Sequence, residues 1–166
     1  MNFKFLKTMF KYNKDVYEDI DYDFYKSIDI FYNLSKKEIQ KLNDLFVIKT
    51  YKKDELIFKE GHPSSVFYII ITGKVKVFMN TENKEIPFFT LYPKNHFGEM
   101  GIFLETDRLA SAVALEDSQL IAIVKSDFRL FIKSQPGTGI KLLYNLGKTV
   151  ANELKNVYGQ IKENEK

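Results

Sequence analysis

The stretch FGEMGIFLETDRLASA, residues 97–112, sets a carboxylate at Glu99 and a guanidinium at Arg108, nine positions apart, with small and apolar residues between them. Gly98 permits a tight turn with close backbone approach. From Glu99 to Leu104 there is room for little more than one helical turn. The first N–H groups of such a turn lack intrahelical partners and suit an anion. Arg108 enters the next predicted strand and can point back toward those amides. Its planar fork matches phosphate oxygens, and charge-assisted bonds of this kind are strong. An ionised Glu99 can only accept hydrogen bonds, so it suits a hydroxyl donor. Ala110, Ser111 and Ala112 are small enough to leave space beside the sheet. An anion clamp next to a hydroxyl acceptor is what a sugar phosphate requires. Taken alone, the same pair reads better as a structural ion pair at a barrel rim.

A pair of this kind needs a rigid frame. From Val47 the hydrophobic period is two: VIKTYKK, ELIFKEG, VFYIIITG, KVKVFMN and EIPFFTLY follow one another, bounded by turn signals at Lys53-Asp54, Gly61-His62-Pro63, Gly73 and residues 80–83. KVKVF alternates strictly, with valines predicted inward and lysines outward. A further strand runs into Phe97, and ASAVALED and SQLIAIV flank an acidic turn. About eight short strands at roughly ten-residue spacing predict a sandwich or barrel. Before them, Ser35 and Glu38 form a capping-box signature for a helix through KKEIQKLNDLF, with Ile39, Leu42 and Phe46 on one face. Earlier still, Val16, Ile20, Phe24 and Ile28 are four apart and predict an amphipathic helix. After Ser126 the period is helical again, with a break at Gln135-Pro136-Gly137. A long amphipathic segment then runs from about Gly139 to Gln160, with Leu143, Leu146, Val150, Leu154, Val157 and Ile161 as its apolar stripe. The expected fold is mainly β: an eight-stranded antiparallel, jelly-roll-like β-roll with flanking N- and C-terminal helices. Three segments are expected: a helical N-terminal extension over 1–34, the roll with short helices over 35–136, and the long C-terminal helix and tail over 137–166.

Composition bounds the function. The 166 residues are 45% hydrophobic and 28% charged, enough for one globular domain with a sizeable core. There is no cysteine, which removes disulfides and thiolate metal sites. A net charge of +3 does not by itself argue for nucleic acid. No apolar run approaches the roughly 18 residues of a membrane span, and the lysine-broken MNFKFLKTMFK lacks a signal-peptide cleavage site. A cytoplasmic protein with no membrane contact is expected. His62 and His96 have no ligand spacing, so no metal site is expected. The GKT at residues 147–149 lies in a helical pattern and lacks the preceding glycine of a phosphate-binding loop, Leu142 standing in its place. No nucleophile signature appears, and neither a catalytic residue nor a cofactor is expected.

The pattern around Glu99 and Arg108 resembles the phosphate-binding cassette of cyclic nucleotide-binding domains: Phe-Gly-Glu, a short helix, then Arg-x-Ala-Ser/Thr at the interval seen here. IFKEGHPSSVFYIIITGKVKVF is similar to another segment of that family, through Gly61, Tyr68, Ile70, Gly73, Val75 and Val77. The resemblance covers about residues 31–159. It implies a 3′,5′-cyclic nucleotide bound inside a β-roll, with Glu99 on the ribose 2′-hydroxyl and Arg108 on the cyclic phosphate. Gly98, Met100, and the amides of Gly101 and Ala110 would line the pocket, with Leu109 at the sugar-base region. Ser111 would add its hydroxyl to the phosphate or base, and Tyr158, from the long helix, would stack on the purine. Three departures carry expectations. Lys94-Asn95 stands for the usual Gly-Asp turn, with the asparagine expected to take any unusual φ. Asp107 replaces a proline and is expected to neutralise part of the Arg108 charge. Leu109 replaces a small residue or threonine; without a hydroxyl for guanine, the pocket is expected to prefer cAMP to cGMP. The resemblance thus implies a cyclic nucleotide sensor that signals through its terminal helices to a protein partner or within a homodimer. The alternative is an interaction domain of the same fold that binds no nucleotide. Few residues follow the long helix, so no DNA-binding domain is expected.

Overall fold

The computed structural model describes residues 22–81 and 84–164. Eight strands form two four-stranded antiparallel sheets among the described residues: β1 (Phe46–Tyr51), β2 (Leu56–Phe58), β3 (Val66–Thr72), β4 (Val75–Asn80), β5 (Glu85–Leu91), β6 (His96–Phe97), β7 (Ser111–Ala114) and β8 (Ser118–Val124). The sheet orders are β1-β8-β3-β6 and β2-β7-β4-β5. Helices α1 (Tyr22–Lys26) and α2 (Lys36–Leu42) precede the roll, α3 (Met100–Phe103) interrupts it, and α4 (Lys125–Ser134) and α5 (Pro136–Asn164) follow it.

Strand β3 explains why its sequence is apolar without alternation. Tyr68 and Ile70 face the second sheet and share a core with Val75, Phe97, Ala112 and Leu120. Phe67 and Ile69 face the other way, into a core built with the helices, where Phe67 meets Phe128 edge-on at 5.9 Å between ring centres. A strand covered on both faces reads as a continuous hydrophobic run. In β4, Val75 is fully buried and Val77 half-buried, while Lys76 reaches across to Glu85 at 2.6 Å. Val75 and Lys76 follow the expected alternation, but a register shift between Val77 and Phe78 breaks it and leaves Phe78 buried.

The helical ends are fixed by caps. The Ser35 hydroxyl accepts the Glu38 amide, and the Glu38 carboxylate accepts the Ser35 amide at 2.8 Å, completing the capping box. Lys141 of α5 donates to the same Glu38 carboxylate at 2.9 Å, tying the first cap to the last helix. Pro136 occupies the first position of α5, where its missing N–H costs nothing. The helix therefore begins at the expected break rather than three residues after it, and runs 29 residues. In the N-terminal segment, Val16 and Ile20 lie outside the described residues. The helix that contains Phe24 stops at Lys26, so Ile28 is not on it; Ile28 is instead buried in the turn leading to a 3-10 turn over Asp29–Phe31. The single amphipathic helix expected through Ile28 is corrected accordingly. Among the described residues no helix is long and apolar enough to cross a membrane.

Candidate functional site

Gly98 adopts a φ of +81°, a left-handed conformation that glycine alone takes without strain. A Cβ there would lie 2.5 Å from Arg108 Nη1 and 3.3 Å from the Val66 carbonyl, so the glycine also makes room for the arginine. From this turn the chain enters α3 with Glu99 as its N-terminal flanking residue. A Cβ on Gly101 would meet the Ser64 hydroxyl at 2.2 Å, which packs the short helix directly on the loop before β3. Lys125 holds the far end by donating to the Leu104 carbonyl at 2.8 Å, and its ammonium also faces Glu105 at 3.2 Å. The Arg108 backbone is clamped by the Gly61-His62 turn: its carbonyl accepts the Gly61 amide at 2.9 Å and its own amide donates to His62 at 2.8 Å. The glycine turn quoted from IFKEGHP thus serves the arginine 47 positions away.

The Arg108 side chain is only 7% exposed. Its Nη2 donates to the Val66 carbonyl and Nη1 lies 3.5 Å from the Gly98 carbonyl. The guanidinium sits 4.0 Å above the Phe58 ring. Its Nε has no hydrogen-bond partner, and among the described residues no carboxylate reaches it within ion-pair distance. Burial lowers its pKa from the ordinary arginine value, opposed by the fields of Tyr68 and Glu99. Carbonyl dipoles and an aromatic face help a buried cation, but they leave its full charge without an anion. The expected neutralisation by Asp107 is corrected: Asp107 forms no ion pair with Arg108, because its backbone is drawn to Pro63 by an isolated bridge and its side chain is exposed.

Beside the arginine is a cavity of about 550 Å³, within the range of small-molecule sites. The structure brings Gly98, Glu99, Met100, Gly101, Arg108, Leu109 and Ala110 to its wall. Apolar β4 and β5 side chains, among them Val77, Phe88 and Leu91, form the opposite side. Glu99 is 7% exposed, and its Oε2 lies 3.7 Å from His96 Nδ1. The Gly101 amide is directed at the Gly98 carbonyl, 3.3 Å away.

Two sequence-predicted positions stand elsewhere. Ser111 is fully buried and absent from the cavity wall, and its hydroxyl accepts the Glu60 amide at 3.0 Å, tying the segment after β2 to β7. Tyr158 is 59% exposed and absent from the cavity wall. Helical periodicity explains the second: Glu153 and Asn156 occupy the cavity-facing side of α5, continuing the face that buries Leu142, Asn145 and Leu146, and Tyr158 falls on roughly the opposite side. The Glu153 carboxyl, on an exposed residue beside the cavity, is raised from its ordinary value by desolvation first and the field of Glu99 second, while His96 acts against both. The sequence reading passed over Glu153, Asn156 and His96. The three-to-four spacing from Leu142 and Leu146 would have marked the first two, whereas the aromatic ring of Tyr158 drew attention to the wrong face. The turn before β6 brings another correction: Lys94, not Asn95, takes the positive φ, at +77°. Asn95 instead uses its side chain, accepting the Tyr92 amide at 2.9 Å, which an asparagine can do and a lysine cannot.

Comparison with known proteins agrees with this architecture. The sequence profile of the cyclic nucleotide-binding domain matches residues 48–135. The "Cyclic AMP receptor protein" of Thermus thermophilus is 30% identical over 131 residues, which is 78% of this chain and 59% of that protein. Human cGMP-dependent protein kinase 2 is 30% identical over 104 residues, 61% of this chain and 14% of the kinase. The chain thus spans less than two thirds of either relative. The crystal structure of the Thermus thermophilus catabolite activator protein superposes with a TM-score of 0.73 and 28% identity, covering 82% of this chain and 63% of that one.

Proposed function

Since the chain belongs to the cyclic nucleotide-binding domain family, we propose that it is a regulatory sensor that binds a 3′,5′-cyclic nucleotide in the cavity beside Arg108, without turning it over. The observation that carries this reading is the buried guanidinium with no ion-pair partner among the described residues, set in the wall of a mostly apolar cavity. A cyclic phosphate supplies the missing charge at Arg108. Glu99, nine-tenths buried and able only to accept, takes the ribose 2′-hydroxyl. The apolar β4–β5 wall receives the base, and Leu109 lies at its edge. The signal leaves through α5, whose Glu153 and Asn156 face the ligand, toward a protein partner or a second copy of the chain.

Between the two common ligands, cAMP is preferred here because Leu109 has no hydroxyl for the guanine 2-amino group. A second reading rests on Glu153: a carboxylate on the wall can accept from the N1–H and 2-amino groups of guanine, which adenine lacks. Competition binding decides between them.

The test of the proposal is thermal. A ligand at 100 times its dissociation constant stabilises the folded state by about 2.7 kcal/mol. For a chain of this length that raises the melting temperature by about 5–10 °C. No shift with cAMP or cGMP at millimolar concentration returns the chain to the reading of an interaction domain without a nucleotide.

A further inference from the structure

A cyclic phosphate paired with Arg108 in this cavity would also have carboxylates as neighbours. Glu99, Asp107 and Glu153 line it against one guanidinium, Arg108. A cyclic phosphate adds a further negative charge, and in a partly desolvated site such repulsion is screened less than at the surface. His96 is the remaining titratable group on the wall. Its side chain is 6% exposed, its Nδ1 has no hydrogen-bond partner, and the nearest carboxylate oxygen is Glu99 Oε2 at 3.7 Å. That distance is too long for a hydrogen bond and short enough to become one with a small side-chain movement.

The surroundings of His96 are defined on each side. Glu99 faces it from the start of α3 and Glu153 from α5, and Arg108, from the segment before β7, lines the same cavity. From β3, the ladder partner is Ile69, with the Tyr68 phenol next to it. Two of the charged neighbours are acids and one is basic.

Building on the nucleotide reading above, we propose that His96 is the positioning residue of this site and that cyclic nucleotide binds together with a proton taken up on its imidazole. The proton comes from solvent, both ring nitrogens then carry hydrogen, and Nδ1–H donates to Glu99 Oε2. No other bond is made or broken. The second carboxylate oxygen, Oε1, remains to accept the ribose hydroxyl. The imidazolium both fixes the Glu99 carboxylate and offsets the incoming phosphate. The sign follows: protonation favours the bound state, so affinity rises as pH falls through the range in which histidine titrates.

The experiment is calorimetric titration of the full chain with cAMP and with cGMP from pH 8 to pH 6. Heats are measured at pH 7 in phosphate and in Tris, whose ionisation enthalpies differ. The expected result is a dissociation constant that falls three- to tenfold across this range, with net proton uptake of a fraction of one per site. His96→Gln should still bind, with affinity that no longer changes with pH and no buffer-dependent heat. A purely structural histidine would weaken binding equally at every pH in that variant, which overturns the proposal. So does a wild-type affinity independent of pH. Nuclear resonance of the imidazoles in the wild-type chain guards against a misfolded variant. Saturating nucleotide should move the His96 titration to higher pH and leave His62, outside the cavity, in place; no movement of His96 overturns the proposal. If neither nucleotide binds at any pH, the nucleotide reading itself fails.

Discussion

At the scale of single residues, the structural role of Arg108 can be separated from its proposed role toward a ligand. Its Nη groups already serve the Val66 and Gly98 carbonyls and its plane rests on Phe58, so part of the side chain is committed before any ligand arrives. Arg108→Lys keeps the charge but removes the fork and the stacking plane. We expect that variant to lose about 1.5–3 kcal/mol of nucleotide affinity, at least tenfold in dissociation constant by calorimetry. Glu99→Gln should lose less, because a neutral amide still offers a carbonyl to the ribose hydroxyl. Unchanged affinity in the lysine variant removes Arg108 from the site. That Glu99 and Arg108 reach one cavity wall was legible from their spacing, because short loops keep sequence neighbours together; their roles toward a ligand came from the family resemblance. Ser111 was not. Its small size fits the wall, but its hydroxyl is claimed by the Glu60 amide across the sheet, a pairing that depends on register.

Elements set these residues in place, and two of them can be tested directly. The turn between β5 and β6 forces Lys94 to a φ of +77°, where an ordinary residue costs about 1–2 kcal/mol over a right-handed conformation. Glycine removes that cost, less about 0.4–1 kcal/mol for the extra freedom of its unfolded chain. Lys94→Gly should therefore stabilise the fold by about 0.5–1 kcal/mol, read as a higher denaturation midpoint at unchanged slope. The capping box of α2 gives a pH signature. The Ser35 amide first, and then the Lys141 ammonium, pull the Glu38 carboxyl down to about 2. A carboxyl depressed in the folded state stabilises it above the unfolded value near 4.5, and that contribution fades as pH falls toward 2. With solvent around the pair, its worth is about 1 kcal/mol. The stability gap between wild type and Glu38→Gln should be constant from pH 7 to about pH 5 and close by pH 2. The capping box was visible in the sequence because it is local. Lys141 as its third member was not, since 103 positions separate it from Glu38.

For the molecule as a whole, the two sides of α5 have different neighbours. Glu153 and Asn156 face the cavity, while Ile140, Tyr144, Leu154 and Tyr158 are exposed on roughly the other side. Asn156→Ala should weaken nucleotide binding by about two- to tenfold, the loss of one hydrogen bond. Tyr158→Ala should leave it within about twofold, and a larger loss restores the stacking role first read from the sequence. Hydrogen exchange across residues 140–159 should slow when nucleotide is added, because the ligand then bridges α5 to the roll. The order of helices and strands was legible because periodicity survives at this scale. Which face of the long helix meets the cavity was not, since an apolar stripe looks alike against a core and against a partner. The length of α5 has a mechanical consequence. Its packed portion reaches Leu146, leaving 18 residues to Asn164, about 27 Å of rigid rod at 1.5 Å per residue. A tilt of about 5° at that fulcrum sweeps the far end by about 2.4 Å, while Glu153, only seven residues out, moves about 1 Å. Were a ligand to shift Glu153 by that amount, the far end of the helix would move more than twice as far.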